Sequence, residues 1–317
     1  MTKYVLKRLV LMVLTFLIIV TICFILIKLL PLPAIKQMGR DVDLIRRRRE
    51  AMGYDKPIMV QYVLYWQHLL RGDLGLGEQM YVSLEVWDVI KTKLPYTVIV
   101  NLYSFLISVP LGLLFGIYAA LKKNTWKDHV ISTLVVIFIS VPSYVYAFLV
   151  QYLLCYKAGL FPLVAASTEN ASFFSWTMFK SMLPAVISLG FGTVAGLTRF
   201  TRAELSEVLT GDYILLARTK GLTRNQAIVR HAMRNAMVPI LPMLLGEFVG
   251  ILGGSLIIES IFSIPGIGSL FVQSINLRDY NFFMADTVIY TFIGLVAGLV
   301  ADLSYGFIDP RIKMGAR

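Results

Sequence analysis

Glu247 is the residue best placed to do chemistry in this 317-residue chain. It is the lone acid near the middle of the apolar stretch PILPMLLGEFVGILGG. A carboxylate facing lipid there costs about 2.5–3.5 kcal/mol. It should therefore turn toward protein or a water-filled route, paired or partly protonated. Gly246, Gly250, Gly253 and Gly254 leave room for a neighbour to come close. Hydrolytic chemistry would need a second acid, a Ser/His set or a His-Glu-x-x-His at membrane depth, and the sequence offers none. His68, His129 and His231 are far apart, and Cys23 and Cys155 lie in apolar segments, so neither a metal cluster nor a disulfide framework is indicated. The glycines of Arg71-Gly-Asp-Leu-Gly-Leu-Gly77 follow no strand, and no Gly-x-x-x-x-Gly-Lys-Ser/Thr occurs. The chain cannot cradle ATP by itself.

A second stretch, from Arg199 to Pro239, is polar, basic and helix-forming between two long apolar segments. Asp212 can cap a short helix that ends where Gly221 supplies a left-handed residue. Thr223 and Gln226 form a Thr-x-x-Gln capping box for a second helix, which should run through His231 and Arg234 until Pro239 marks the next span. Two short helices about a glycine corner make a compact knob suited to a partner's cleft. The third cluster is Arg46, Arg47, Arg48 and Arg49, on an expected helix from Asp41 to Met52. Without interleaved aromatics it reads as a solvated face rather than a nucleic-acid site.

The elements that carry these groups are membrane spans. The chain is 57% hydrophobic and only 15% charged, with a mean hydropathy of +0.72; soluble domains carry roughly 25% charged residues. Six spans are expected, at about 9–30, 96–121, 130–156, 181–200, 238–261 and 284–308. The first is too long for a signal-peptide core and lacks a cleavage site. Pro110 and Pro142 should bend the second and third spans. Gly112-x-x-x-Gly116, Gly246-x-x-x-Gly250 and Gly294-x-x-x-Gly298 offer small faces for packing. The fold class is thus all-α, polytopic, with a 1–30 N-terminal helix, a helical external segment at 31–95, a five-helix core at 96–308 containing the 203–239 loop, and a 309–317 tail.

Charge sets the orientation. Lys3, Lys7, Arg8, Lys122, Lys123, Lys127, the basic residues of the 203–239 loop, Arg311, Lys313 and Arg317 fall on one side, against Lys157, Lys180 and Arg278 in the short loops opposite. Both termini and the knob are expected in the cytoplasm. The basic residues of 31–95 lie in a loop of about the length at which the rule ceases to hold.

The order Asp212-Tyr-Ile-x-x-Ala-Arg-x-Lys-Gly-Leu222, then Arg230-His-Ala-Met-Arg-Asn-Ala-x-x-Pro239, resembles the cytoplasmic coupling loop of ABC-importer permeases of the dipeptide/oligopeptide/nickel branch. Leu215-Leu216-Ala217 stands where the wider superfamily has Glu-Ala-Ala, a departure that fits the peptide branch. Met52-Gly-Tyr-Asp-Lys-Pro57, Arg71-Gly-Asp-Leu-Gly75, Ser140-Val-Pro-Ser143, Gly159-Leu-Phe-Pro162, Leu183-Pro-Ala185, Arg199-x-x-Arg202, Glu259-Ser-Ile-Phe262, Ile264-Pro-Gly-Ile-Gly268, Arg278-Asp-Tyr280 and Asp309-Pro-Arg311 extend the similarity over nearly the whole chain. It is most like the first, B-type, oligopeptide permease subunit.

The resemblance implies a type I ABC-importer permease fold and half of a translocation pathway for oligopeptides in a bacterial cell membrane. It implies a second homologous permease, two ATPase subunits that bind ATP and magnesium, and an extracytoplasmic substrate-binding protein. No cofactor is expected in this chain. Asp212, Tyr213, Ala217, Arg218, Lys220, Gly221 and Leu222 are expected to couple to an ATPase subunit. Glu247, Ser140, Ser143 and Tyr144 are expected to line the pathway, with Glu247 meeting a basic or amino-terminal group of the cargo or serving only as an interhelical bond. Arg46 to Arg49 are expected to meet the binding protein, unless the external segment is a packing cap. Nickel or another small solute is the alternative cargo; a secondary carrier or an intramembrane enzyme is the alternative class.

Overall fold

The computed structural model describes residues 2–31, 34 and 40–308. The 309–317 tail, with Arg311, Lys313, Arg317 and the Asp309-Pro-Arg311 match, lies outside the described residues, as does part of the 31–95 segment. The described residues are mostly helical. The helices are α1 (Thr2–Leu29), α2 (Arg40–Ala51), α3 (Ile58–Leu70), α4 (Val86–Leu121), α5 (Trp126–Ser140), α6 (Ser143–Val150), α7 (Trp176–Val208), α8 (Asp212–Thr219), α9 (Arg224–Ala227), α10 (Met233–Gly250), α11 (Leu256–Ile261), α12 (Ile267–Leu277) and α13 (Tyr280–Ile308). Wide helical turns continue α6 over Gln151–Lys157 and join α9 to α10 over Ile228–Ala232.

Five stretches are long and apolar enough to cross a membrane: those of α1, α4, α7, α13 and the rod Arg224–Gly253. α5 with α6 and its continuation meets the same length and hydropathy test only as a pair, joined at a 102° bend. That bend falls at Val141–Pro142, as the proline requires. Pro110 does not break its helix: α4 runs continuously through both Pro95 and Pro110 and begins at Val86 rather than Tyr96. Pro239 likewise lies inside the Arg224–Gly253 rod and does not begin it. In a packed span the carbonyl freed by a proline can find another partner, so the helix continues. The expected span 238–261 is interrupted instead at Ile251–Gly254, where Gly254 takes φ +62°; beyond it α11 packs on α12 and α6, and α12 on α13 and α4.

The core lies where α4 meets α7. A Cβ on Gly112 would stand 2.7 Å from the Leu197 Cβ, and one on Gly116 2.6 Å from the Thr201 Cβ, so only glycine permits this approach. The other two Gly-x-x-x-Gly faces differ. Gly250, Gly294 and Gly298 have no neighbour within 4 Å of such a Cβ, and Gly246 has only the Ala301 Cβ at 3.9 Å. Near the 209–223 turns Arg202 of α7 grips Asp128 of α5 with two bonds, Nε to Oδ1 at 2.5 Å and Nη2 to Oδ2 at 2.7 Å, fixing that end of the core.

The segment between α1 and α4 is fastened to the start of α13. Backbone N–H groups of Glu78, Gln79 and Met80 donate to the buried Asp279 carboxylate at 2.8, 2.8 and 3.1 Å. Asn281 Nδ2 donates to the Leu76 carbonyl, and the Tyr280 hydroxyl to the carbonyls of Leu30 and Pro31. Tyr62, Tyr65 and Trp66 of α3 pack on Phe16 and Phe24 of α1.

Candidate functional site

The knob at 211–239 is built much as its punctuation requires. Helix α8 ends in a Schellman motif: the Leu222 N–H reaches the Ala217 carbonyl and the Gly221 N–H reaches that of Arg218, with Gly221 at φ +91°. The Thr223/Gln226 capping box is present in both directions. Asp212 is not the cap. Gly211 takes the extended cap position, and Asp212 is the first helical residue, where its charge suits the positive end of the helix.

Of the expected coupling residues, Asp212, Tyr213, Arg218, Lys220 and Gly221 are exposed and Leu222 is half-buried. Ala217 faces inward, packed with Ile214 against Leu205, Ala227, Ala232 and Ala236 of the chain's own core, because it lies one turn from Ile214 on the face that meets those alanines. Its small size serves this chain's packing. The outer face carries Leu215 (63% exposed), Leu216 (55%) and, across the corner, Val229 (69%). These were missed because an apolar side chain in a polar loop looks like core. Their surplus over what the small cluster can bury was the available signal.

Glu247 lies about one turn before the break that ends the rod, not at the middle of a span, because the helix stops at Gly253 and not at Ile261. Its side chain is exposed and reaches an open cavity of about 320 Å³. Asn101, Ser104 and Phe105 of α4, and Leu189 and Thr193 of α7, line the opposite walls. Asn101 and Ser104 were legible in principle as polar residues at i, i+3 in an apolar helix, a spacing that puts both on one face. Ser140, Ser143 and Tyr144 are exposed at the α5–α6 bend and do not line this cavity. The structure does not bring them together with Glu247.

Glu247 is also not the only acid at membrane depth. Asp286 of α13 is wholly buried, and Asp302 of the same helix pairs with Arg8 of α1 at 2.9 Å. Both fall inside the expected 284–308 span; Asp286 stands two residues from its expected start and lies deeper because α13 begins at Tyr280. Glu259 is buried too, at the N-terminus of α12. Its carboxylate accepts from the Thr97 hydroxyl at 3.0 Å and from the N–H groups of Ser255, Gly268 and Ser269 at 3.4, 2.8 and 3.2 Å. No group of His, Cys, Asp and Glu among the described residues could hold a metal ion.

On α2 the arginine run divides. Arg46 and Arg47 are exposed. Arg48 binds Asp73 at 3.2 Å, and Arg49 binds Glu78 at 2.6 Å. Burial pushes the Glu78 carboxyl up from its ordinary value, against the pull of the Arg49 guanidinium. Two arginines are thus spent on internal pairing, and two remain at the surface.

Comparison with known proteins accords with these features. The profile described as "Binding-protein-dependent transport system inner membrane component" matches residues 112–314, and its N-terminal companion matches residues 1–101. The chain is 36% identical over 314 residues to the dipeptide transport system permease protein DppB of Lactococcus lactis subsp. cremoris, covering 99% of this chain and 100% of that one. It is 35% identical to the protein of the same name in Bacillus subtilis, over 99% of both chains. The glutathione transport system permease protein GsiC of Salmonella choleraesuis is 34% identical, again over 99% of both. A solved structure, "Crystal structure of an amino acid ABC transporter with histidines", superposes with a TM-score of 0.51 at 20% identity, covering 68% of this chain and 92% of that one. It shares the fold.

Proposed function

This chain belongs to the binding-protein-dependent transport system inner membrane components, and from that membership we propose that it forms half of the peptide path in an ATP-driven importer. A second permease completes the path, ATPase subunits dock on the cytoplasmic side, and a substrate-binding protein delivers cargo outside. Both termini lie in the cytoplasm on this reading, in line with the basic residues around the knob. The dipeptide and glutathione permeases at 34–36% identity over the whole chain favour peptide cargo over nickel.

The observation that carries the coupling role is the knob's outer face. Leu215, Leu216, Tyr213 and Val229 are exposed on two short helices held at a fixed glycine corner, an apolar patch rimmed by Arg218 and Lys220. Such a patch suits a protein partner. ATP binding in the partner then moves the knob, and α8 with α9 transmits that motion along the rod to Glu247, as rigid helices do. The residues of the pathway are those around the Glu247 cavity; Ser140, Ser143 and Tyr144 at the bend would meet it only where the second permease closes over them. Arg46 and Arg47 are the external groups free to meet the binding protein.

The test is reconstitution. The purified chain alone should hydrolyse no ATP, and adding its partner permease, ATPases and binding protein in liposomes should give ATP-dependent peptide uptake. Uptake by the chain alone down an ion gradient would contradict the reading.

A further inference from the structure

The cavity at Glu247 is a set of acceptors with no cation among its lining residues. The carboxylate opens into it from α10. Asn101 donates its Nδ2 to the Thr97 carbonyl at 2.7 Å, which leaves its Oδ1 to accept. Ser104 and Thr193 add two hydroxyls. Among the described residues neither these hydroxyls nor the carboxylate has a hydrogen-bond or ion-pair partner. Asp128, Asp279, Glu78, Glu259 and Asp302 are each paired or hydrogen-bonded. Asp286 shares the lack of a partner but is wholly buried, whereas Glu247 opens into a cavity. Phe105 on the cavity wall meets Phe248 edge to face at 5.7 Å, which gives the cavity an aromatic side that a cation can approach.

We propose that this cavity is a subsite for a primary ammonium group of the cargo, held by the Glu247 carboxylate with Asn101 Oδ1 and the Ser104 and Thr193 hydroxyls as further acceptors. An ammonium carries three donors and no acceptor. The site presents one charged and three neutral acceptors, more than the three N–H groups need. The walls come from three helices, α4, α7 and α10, and α10 continues the rod that leads from the knob. A movement of that rod changes the distance between the carboxylate and the α4 acceptors, so the subsite can hold the ammonium in one arrangement and release it in the other. This inference rests on the importer reading. It adds the chemical group the path recognises, which is present at a peptide's amino terminus and in a lysine side chain.

The experiment uses the full complex in liposomes, with ATP inside and loaded binding protein outside. Uptake of Ala-Ala-Ala, Ala-Lys-Ala and lactyl-Ala-Ala, in which a hydroxyl replaces the α-amino group, is compared between the native chain and Glu247→Gln. Uptake by the native complex tests the importer reading, and the pattern across peptides in the variant tests the subsite. A charge-assisted bond of this kind is worth about tenfold or more. If the amino terminus is the group bound, Glu247→Gln should slow both amino peptides about tenfold and leave lactyl-Ala-Ala unchanged. If the lysine side chain is the group bound, only Ala-Lys-Ala should slow. An equal factor for all three peptides, or no change in any, overturns the subsite and makes Glu247 a packing residue at the permease interface. Carbodiimide coupling in the native complex gives a second measurement that needs no variant. An amide between Glu247 and the Ala-Ala-Ala amine, mapped by mass spectrometry, supports the site, and coupling confined to other carboxylates overturns it.

Discussion

Two carboxylates of the molecule have opposite fates. Asp279 sits in a closed nest of three backbone N–H groups that ties the segment between α1 and α4 to α13. Glu247 stands in an open cavity with no partner among the described residues. A buried acid whose bonds are saturated holds the fold, and changing it costs stability. An acid left open at membrane depth carries its desolvation cost for another purpose. The same division separates glycines (Gly112 and Gly116 packed, Gly250, Gly294 and Gly298 open) and arginines (Arg48 and Arg49 paired, Arg46 and Arg47 exposed).

The closed set should break hardest. Glu259→Ala strands the N–H groups of Gly268 and Ser269 and the Thr97 hydroxyl, each at a cost of about 1–3 kcal/mol. The chain should then fail to accumulate in membranes, as an immunoblot would show. A normal level would end the claim that this acid is structural. Asp279→Ala should cost somewhat less, because loop 72–85 can move toward water. Its signature is faster hydrogen exchange at Glu78, Gln79 and Met80 with the spans unchanged; unchanged protection there would contradict the nest. Smaller again, Gly116→Val should overpack the α4–α7 seam by about 1–3 kcal/mol, while Gly294→Ala leaves this chain's thermal unfolding within about 0.5 kcal/mol of the native value. Equal shifts in a melting experiment would erase the distinction between the two faces. The weakest effect belongs to Arg46→Ser with Arg47→Ser. The melting temperature should hold, while association with the binding protein weakens about threefold, as for charges at an interface rim. An unaltered association would make the external segment a packing cap.

Much of the open set was legible in the sequence, because its signals are local. The Thr-x-x-Gln box and the glycine after Arg218-Thr219-Lys220 define the knob whatever surrounds it. Hydropathy alone gives the spans. The closed set was harder to see. Nothing near Asp279 announces that residues 78–80, two hundred positions away, will bind it, and nothing in a run of four arginines says which two turn inward. Pro110 and Pro142 make the same point. Both remove one backbone bond, yet only Pro142 breaks its helix, because whether a helix survives the loss depends on what packs around it. Asn101 and Ser104 are polar residues whose importance rests on Glu247 lying across a cavity, which is a tertiary fact.

The most direct test of the coupling account is Gly221→Val in the reconstituted complex. Nothing lies within 4 Å of a Cβ at that position, so the change crowds no neighbour; it acts only through the φ of +91°, which a β-branched residue resists. The account predicts a normal amount of the chain in the membrane, a misdirected α8–α9 corner, and loss of ATP-dependent peptide uptake together with binding of the ATPase subunits. Uptake at the native rate by a complex carrying Gly221→Val would contradict it.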